Sequence, residues 1–412
     1  MKKLLLPVLI LICCYPSIAQ WSVLPSGSTR DLYSVQFTSR DTGYVVGNKA
    51  ILKTVNAGAS WTSLTNDTSK FLYSIYFTAA DTAYTVGVWT HSENSRYSNL
   101  FKSTNSCASW DSLPYAMYEY QKNGVFQSIF FPNSSIGYAV GDANNIIKTI
   151  DGGAQWSFLQ CPATPSNLLD AVFFLNADTG YAVGWNNHTM GVGGTMIKTV
   201  NGGSTWDTLN IGTTNGLTSV YFTDSDTGYA AGVAGTIIKT TNGGATWTTL
   251  SSGTSSWLTS IYFTHPDTGY AAGTGGTIIK TTDGGLSWLT LSTKTTNDIY
   301  SFYFTNSQTC YAVGANGIIL KTNSGGINTG IFQSPQIALS DFAVYPNPVK
   351  SNLFFSNLHQ NATISIYDYQ GKLLIHKPIS ENQMYVGDLK EGIYIYKVIG
   401  KNIVTSGKFI KE

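Results

Sequence analysis

The sequence predicts an all-β protein, a seven-bladed β-propeller followed by a small β-sandwich. The main observation is a repeat, because the segment 226–247, DTGYAAGVAGTIIKTTNGGATW, returns at 267–288 as DTGYAAGTGGTIIKTTDGGLSW. A period of roughly 40–50 residues with short strands and glycine turns is typical of one propeller blade per copy. Seven copies, spaced by 40 to 54 residues, are marked by Tyr44, Tyr84, Tyr138, Tyr181, Tyr229, Tyr270 and Tyr311.

Composition supports the same fold class. The 412 residues include 41 Gly and 54 aromatic residues (10 Trp, 25 Tyr and 19 Phe), and only 11% are charged. Aromatic and β-branched residues favour strands over helices. The net charge of +1 and the lack of any block of Lys or Arg argue against a nucleic-acid partner.

The first 19 residues have the layout of a secretory signal peptide. Lys2 and Lys3 precede an apolar run at 4–14 that is too short to span a bilayer comfortably, and small residues follow at 17–19. We therefore expect export, a mature chain that begins at Gln20, and no membrane span after signal removal. A lipid anchor is not expected, because the residues before Cys13 and Cys14 are not small.

Outside the leader three cysteines remain, Cys107, Cys161 and Cys310. They occupy non-equivalent positions of the repeat, so we expect no structural disulfide.

Each repeat divides into four short strands. The first follows the pattern L-x-S/A-φ-x-F (φ apolar), whose small residue suits the crowded rim where blades converge on the axis. The second is GYAVG-like, the third TIIKT-like, and the fourth opens on tryptophan. The copies of the first strand are LYSVQF (32–37), LYSIYF (72–77), FQSIFF (126–131), LDAVFF (169–174), LTSVYF (217–222), LTSIYF (258–263) and IYSFYF (299–304).

The turn before the tryptophan has its own chemistry. Residues 149–156 fit S/T-x-D-x-G-x-x-W, and the turns at 199–206 and 240–247 carry Asn in place of Asp. Asp or Asn accepts backbone N–H bonds within such a turn, and the glycines Gly153, Gly203 and Gly244 are suited to positive φ. The indole is expected to pack between neighbouring blades.

These residues resemble the Asp-box (BNR-like) propellers, a superfamily that includes the sialidase repeats. The motif GYAVG…I-K-T-x-D/N-G-G-x-x-W is most similar to that of the photosystem II assembly and stability factors. The resemblance covers about residues 21–329 and implies the fold rather than a particular activity.

The two ends of the array predict how the ring closes. In the seventh repeat Thr329 falls in the tryptophan position, so this blade lacks its own fourth strand. At the other end, Trp21 and the residues up to Gly27 look like a fourth strand with no repeat before it. We expect this N-terminal strand to pair into blade seven near residues 318–321, which removes an open sheet edge.

After the propeller (20–329) a polar linker (330–340) leads to a second unit (341–412). Alternating strands with glycine turns predict a small β-sandwich there. The segments 345–348 (YPNP), 366–372 (IYDYQGK), 389–394 (LKEGIY) and 408–411 (KFIK) are similar to the type IX secretion sorting domain of Bacteroidetes exports. That resemblance implies the secretion machinery as a partner, delivery through the periplasm, and release or display at the outer surface.

Catalysis finds little support in the sequence. A sialidase needs three converging arginines, and the chain has only Arg30, Arg40 and Arg96. By propeller geometry Arg40 lies on one face of the disc and the other two on the opposite face. Another glycosidase would need two facing carboxylates, and Glu93 and Glu119 are the only glutamates before the sorting unit.

No cofactor and no metal site are predicted. The segment 224–228 (DSDTG) resembles a calcium-binding loop, but the equivalent turns carry Ser-Arg-Asp, Ala-Ala-Asp and His-Pro-Asp. A turn-forming role is therefore the better interpretation of the repeated aspartate, which is Asp226 here. His91 and His188 on loops are weak evidence for a metal.

Three insertions break the repeat and are predicted to project from one face. They occupy 88–99 in blade two, 185–194 in blade four, and 114–124 between blades two and three. Long aromatic loops on a rigid scaffold often carry function, although neutral drift of surface loops is an equal alternative. The candidate binding residues are Trp89, His91, Tyr97, Tyr115, Tyr118, Tyr120, Trp185 and His188.

The sequence therefore predicts a secreted or cell-surface propeller that binds a protein or glycan and is not an enzyme. The alternative is a glycan-degrading enzyme that uses the insertion-bearing face, and a third hypothesis is a scaffold for assembly of an envelope complex.

Overall fold

A computed structural model describes most of the chain. The described residues are 21–64, 70–92, 95–113, 124–162, 167–186, 191, 193–326, 343–356, 362–368, 373–379, 382–400 and 403–412. The expected signal peptide, the linker 330–340 and Thr329 lie outside them. The chain divides into two compact units, Met1–Gly330 and Ile331–Glu412.

The first unit holds seven four-stranded antiparallel sheets, one for each repeat. It begins with strand β1 (Ser22–Leu24). Blade one consists of β2 (Leu32–Phe37), β3 (Gly43–Gly47), β4 (Ala50–Thr54) and β5 (Thr62–Ser63). Blade two consists of β6 (Lys70–Phe77), β7 (Ala83–Ser92), β8 (Ser95–Ser103) and β9 (Asp111–Ser112). Blade three consists of β10 (Phe126–Phe130), β11 (Gly137–Gly141), β12 (Ile146–Thr149) and β13 (Ser157–Leu159).

Blades four to seven follow the same order. Blade four consists of β14 (Asn167–Phe174), β15 (Gly180–Asn186), β16 (Thr195–Thr199) and β17 (Asp207–Thr208), and blade five of β18 (Leu217–Phe222), β19 (Gly228–Gly232), β20 (Ile237–Thr240) and β21 (Thr248–Leu250). Blade six consists of β22 (Leu258–His265), β23 (Thr268–Gly273), β24 (Ile278–Thr281) and β25 (Leu289–Thr290). Blade seven contains β26 (Ile299–Phe304), β27 (Cys310–Gly314) and β28 (Ile319–Thr322). Short 3-10 turns join the second and third strands at Asp142–Asn144, Val233–Gly235, Thr274–Gly276 and Ala315–Gly317.

Ring closure is confirmed. Strand β1 pairs antiparallel with β28, in the register Ser22 to Lys321 and Leu24 to Ile319, and becomes the fourth strand of blade seven. Trp21 lies with its indole beside Gly326, where the other blades place their own tryptophan. It is 1% exposed and belongs to the apolar cluster between blades six and seven.

The core consists of one apolar cluster between each pair of adjacent blades. Between blades three and four, Trp206 stands edge-on against Phe174, whose ring stacks on Tyr138 of the neighbouring blade at 3.8 Å. The tryptophans therefore pack between blades, as the repeat predicted. The three described cysteines, Cys107, Cys161 and Cys310, form no disulfide, as expected.

The Asp-box turns are built as predicted. In blade three the Asp151 carboxylate accepts the Gln155 N–H at 3.0 Å and the Thr149 hydroxyl at 2.8 Å. Gly153, which donates its N–H to Thr149, has φ of +83°, where a side chain would be strained. The same arrangement recurs around Asn201 and Asn242.

A latch between adjacent blades, which the sequence did not reveal, uses the repeated tyrosine and lysine. Tyr229 Oη and Lys239 Nζ of blade five both donate to Gly284 O in the Asp-box turn of blade six, each at 2.9 Å. Lys239 also lies 5.2 Å above the centre of the Tyr229 ring. Five other blades repeat this pair, and the last copy, Tyr311 and Lys321, holds Ala57 of blade one.

The second unit is a small β-sandwich, as predicted. One sheet contains β29 (Val344–Tyr345), β30 (Asn352–Phe355) and β33 (Gln383–Tyr385), and the other contains β31 (Ala362–Asp368), β32 (Leu373–Ile379), β34 (Gly392–Gly400) and β35 (Ile403–Lys411). Both sheets contribute to one core, in which Phe355, Ile364 and Phe409 are fully buried. Phe409 comes from the C-terminal KFIK segment, so that segment closes the core.

Candidate functional site: the insertion face and the channel mouth

The propeller has two distinct faces. We call the insertion face the one that carries the turns between second and third strands and the connections into each first strand. The Asp-box face carries the turns between first and second strands and the Asp-box turns between third and fourth strands. First strands of adjacent blades contact one another around the full ring, from β2 and β6 to β26 and β2, so these seven strands surround the axis.

Every first strand contains a β-bulge at the second residue of its L-x-S/A motif, next to the insertion face. In blade four the bulge falls between Leu169 and Ala171, and its extra residue is Asp170. The chain is crowded there, since a Cβ on Gly184 would lie only 1.7 Å from Leu168 O. The equivalent bulge residues are half-buried and form what we call the bulge ring: Tyr33, Tyr73, Gln127, Asp170, Thr218, Thr259 and Tyr300.

One side of the bulge ring is aromatic. The Tyr33 ring lies 5.3 Å from that of Tyr73 and 5.5 Å from that of Tyr300 (centroid to centroid), so the phenols of three adjacent blades meet. Burial raises the pKa of Tyr33, and the neighbouring Asp31 carboxylate raises it further. Tyr33 therefore stays neutral, and the three tyrosines present aromatic rings and hydroxyl groups.

The acidic member of the ring is Asp170. Its Oδ2 accepts a hydrogen bond from the Trp185 indole N–H at 2.6 Å. Burial raises the pKa of Asp170 to about 7, the indole hydrogen bond opposes the rise, and the Asp142 carboxylate of blade three adds to it. Asp142 accepts the Val125 N–H at 3.2 Å, and burial raises its pKa as well. Two carboxyl groups of adjacent blades thus lie near the channel mouth.

Sequence reasoning did not select Asp170, although a signal was present. Six first strands carry Tyr, Gln or Thr followed by Ser at the second and third positions, whereas blade four alone carries Asp170 and Ala171. A comparison of the copies position by position would have marked both residues.

Of the predicted binding residues, three belong to an extended hairpin in blade two. Strands β7 and β8 have 10 and 9 residues, whereas the second strands of blades one, three, five and seven have only five. Residues 88–92 and 95–99 thus continue the blade as paired strands. Trp89 pairs with Tyr97 in this register, and His91 lies farther along β7.

Trp185 is the predicted binding residue whose side chain the structure describes. It pairs with Leu168 at the end of β15, and its indole reaches the channel mouth through Asp170. It lies on blade four, with blade three between it and the Trp89 hairpin of blade two. The remaining candidates, Tyr115, Tyr118, Tyr120 and His188, are outside the described residues, as are Glu93 and Glu119.

The structure also places the residues that were considered for sialidase chemistry and for metal binding. Arg40 lies in the turn between β2 and β3 on the Asp-box face, whereas Arg30 precedes β2 and Arg96 lies in β8. The Asp224 carboxylate accepts the N–H groups of Asp226 and Thr227 at 2.8 and 2.7 Å, so in this blade Asp224 stabilises the turn. Within the described ranges no three His, Cys, Asp or Glu side chains could together hold a metal ion.

Two family models match parts of the chain. Residues 343–412 match the secretion system C-terminal sorting domain, and residues 246–331 match the photosynthesis system II assembly factor YCF48. No curated protein shows significant similarity to the whole sequence. No helix of the described part is long and apolar enough to cross a membrane.

Solved propellers share the fold at low sequence identity. A YCF48 bound to D1 peptide has 19% identity and a TM-score of 0.59 over 74% of this chain and 97% of its own. YCF48 from Cyanidioschyzon merolae has 17% identity and a TM-score of 0.59, over 74% of this chain and 98% of its own. PorZ, a surface component of the type-IX secretion system of Porphyromonas gingivalis, has 14% identity and a TM-score of 0.53, over 93% of this chain and 59% of its own. The chain is therefore a β-propeller that resembles the YCF48 assembly factors, and it ends in a segment that matches the secretion system sorting domain.

Proposed function

We propose that this protein is a non-catalytic binding module, displayed on or released from the cell surface of a Bacteroidetes bacterium. A signal peptide at 1–19 would direct export, the propeller at 20–329 would bind a protein or glycan, and the unit at 341–412 would engage the type IX secretion machinery. The match of residues 343–412 to the sorting-domain model supports delivery by this route.

The observation that carries the binding role is the asymmetry of the insertion face. Six blade interfaces share the tyrosine–lysine latch, and the Asp-box turns share one pattern of internal hydrogen bonds. Because both features recur from blade to blade, they serve the stability of the fold. In the described part of the propeller the insertion face adds structure beyond the repeat, in the β7–β8 hairpin and in the contact of Trp185 with Asp170. Aromatic side chains on a rigid scaffold bury large area at little entropic cost, which suits sugar faces and protein hot spots.

Removal of residues 341–412 should leave a folded propeller trapped in the periplasm of its host. The reason is that the sorting unit has its own core and is expected to act only as an address. Protease accessibility on intact cells, together with fractionation, measures this. Lys377→Ala, an exposed substitution in the same unit, is the matched control and should reach the surface normally. Surface delivery of the truncated chain would contradict the proposed role of residues 341–412 in secretion.

Substitution of Trp89, Tyr118 and Trp185 by alanine should abolish binding to the ligand found on glycan and surface-protein arrays. Each truncated aromatic anchor is expected to cost about 1–3 kcal/mol of binding free energy. The control replaces Ile150 and Leu286 by alanine, since these side chains are 71% and 78% exposed on the Asp-box face. Unchanged binding by the triple variant would mean that the insertions are passive.

One observation favours the alternative of a glycan-degrading enzyme. Asp170, with its pKa raised to about 7, and Asp142 nearby form a pair of carboxyl groups, which glycoside hydrolysis requires. Under our proposal the purified propeller leaves chromogenic glycosides intact. If the wild-type propeller hydrolyses these glycosides and the Asp170→Asn variant does not, the protein is a glycosidase rather than a binding module.

A further inference from the structure

The second unit exposes apolar side chains on the outer face of its larger sheet. In that sheet β34 lies between β31 and β35, and its residues alternate between core and solvent. Tyr394 is buried, whereas Ile393 and Ile395 on either side of it are 53% and 42% exposed. On β35 the same alternation buries Phe409 and leaves Ile410 43% exposed. The solvent face of an antiparallel sheet is normally polar, so the core does not account for these isoleucines.

The three isoleucines lie together. Ile393 is directly opposite Ile410 in the register of β34 and β35, and Ile395 follows two residues later on the same face. Directly opposite residues have Cβ atoms about 4.5–5.5 Å apart, so the side chains are neighbours. We call Ile393, Ile395 and Ile410 the isoleucine patch. A single exposed apolar residue is ordinary, but a contiguous patch on a central and an edge strand marks an interaction surface.

Basic side chains border the isoleucine patch. Lys408 lies opposite Ile395, and Lys397 follows Ile395 by two residues on the same face, and both lysines are exposed. On the other side Ile395 pairs with the uncharged Tyr367 of β31. A matching surface would therefore carry apolar groups against the isoleucines and carboxylates against the two lysines.

The edge of β35 beside the patch is closed to strand pairing. An exposed sheet edge can accept an extended partner, which adds a strand through backbone hydrogen bonds. Here the Ile410 N–H donates to Asn347 Oδ1 at 2.8 Å, and the Ile410 carbonyl accepts the Val349 N–H at 2.8 Å. The Val349 carbonyl in turn accepts the Glu412 N–H at 3.0 Å. Because these backbone groups are satisfied, a partner reaches this end of the sheet through the side chains of its face.

We propose that the isoleucine patch, with Lys397 and Lys408, is the surface by which the second unit docks on a protein of the secretion machinery. The docking surface of that protein is apolar at its centre and acidic where it meets the lysines. The match of residues 343–412 to the sorting-domain model supports a protein receptor as the occupant. A second copy of the unit would instead bring the same lysines to the contact, where like charges oppose one another. This inference rests on the proposed export route and names the surface that the route uses.

The test replaces the patch in the full chain, expressed in its host. The triple variant Ile393→Ser, Ile395→Ser, Ile410→Ser should lower the fraction delivered to the surface at least about tenfold, because the apolar anchors are lost. Protease accessibility on intact cells and fractionation measure that fraction. Since the three side chains are exposed, the purified variant should keep the melting curve of the wild type.

A second variant keeps the isoleucines and changes only the charge beside them. Lys397→Glu with Lys408→Glu should also reduce delivery, because carboxylates would then face the acidic margin of the partner. If the serine variant loses its fold, this charge variant decides, and its normal delivery would overturn the proposal.

The other sheet of the unit offers a matched control. Its outer face presents Tyr345, Phe354 and Tyr385, which are between 38% and 55% exposed and lie on neighbouring strands. Replacement of these three aromatic residues by serine removes as many exposed apolar side chains from the same unit. This variant should reach the surface as the wild type does.

The remaining outcomes are decisive in the other direction. Normal delivery of a folded isoleucine variant, or loss of delivery in the aromatic variant alone, overturns the proposal. So does a wild-type dimer in light scattering that the isoleucine variant abolishes, which assigns the patch to a second copy. Flotation with phosphatidylglycerol vesicles that depends on the isoleucines assigns it to lipid and overturns the proposal as well.

Failure of the docking surface is distinguishable from failure of the export route. If the chain without residues 341–412 still reaches the surface, the proposed route itself is wrong. If that chain is trapped in the periplasm while both patch variants are delivered, the route stands and the docking surface lies elsewhere on the unit.

Discussion

Deletion of residues 20–27 should lower the melting temperature of the propeller by roughly 10 °C or more. The deletion removes β1, exposes the edge of β28, and empties the site of Trp21, which is 1% exposed. Loss of the buried indole alone is expected to cost about 3–5 kcal/mol of the free energy of unfolding. Native domains have only about 5–15 kcal/mol in total, so this is a large share.

Two single substitutions in the same strand sharpen this test. Trp21→Ala should reproduce most of the loss, whereas Val23→Ala should change the melting temperature little, because Val23 is 56% exposed. Differential scanning calorimetry on the purified propeller gives both values. An unaltered melting curve for the deletion variant would mean that β1 does not close the ring in solution.

Trp206→Ala should destabilise the protein by about 3–5 kcal/mol, as expected for a large buried aromatic side chain. Trp206 is 4% exposed and packs edge-on against Phe174 in the cluster between blades three and four. Its removal leaves a cavity that two rigid sheets cannot collapse to fill. Urea unfolding followed by far-UV circular dichroism measures the change.

The matched control for Trp206 is Trp185 in the same blade. Trp185 lies outside the repeat pattern, is only partly buried, and its indole donates a hydrogen bond to Asp170. Trp185→Ala should therefore cost clearly less stability than Trp206→Ala. Equal losses would show that Trp185 is a core residue, and the binding role assigned to it would then fail.

Sequence reasoning was most successful where each residue is determined by its near neighbours. The period of the repeat predicted seven blades, and the turn residues predicted the Asp-box hydrogen bonds, such as Asp151 to Gln155. Even ring closure was predictable, because a lone Trp21 strand at one end matched a missing strand at the other. Local propensities and alternating patterns agree with the fold throughout this part of the chain.

Contacts between blades could not be predicted in the same way. The sequence shows that Tyr229 and Lys239 recur, but only the packing of blade five against blade six places both at Gly284 O, 55 and 45 residues away. Such pairs depend on the angle between sheets and on the closure of the ring. They are set by long-range geometry that the spacing of residues along the chain does not encode.

The sequence by itself determined the architecture and the sorting segment. Tertiary structure decided what lies at the channel mouth, because Asp170 becomes unusual only when seven first strands converge and place it beside Trp185 and Asp142. Burial without a counter-charge raises its pKa, and burial is a property of the closed ring rather than of the LDAVFF segment.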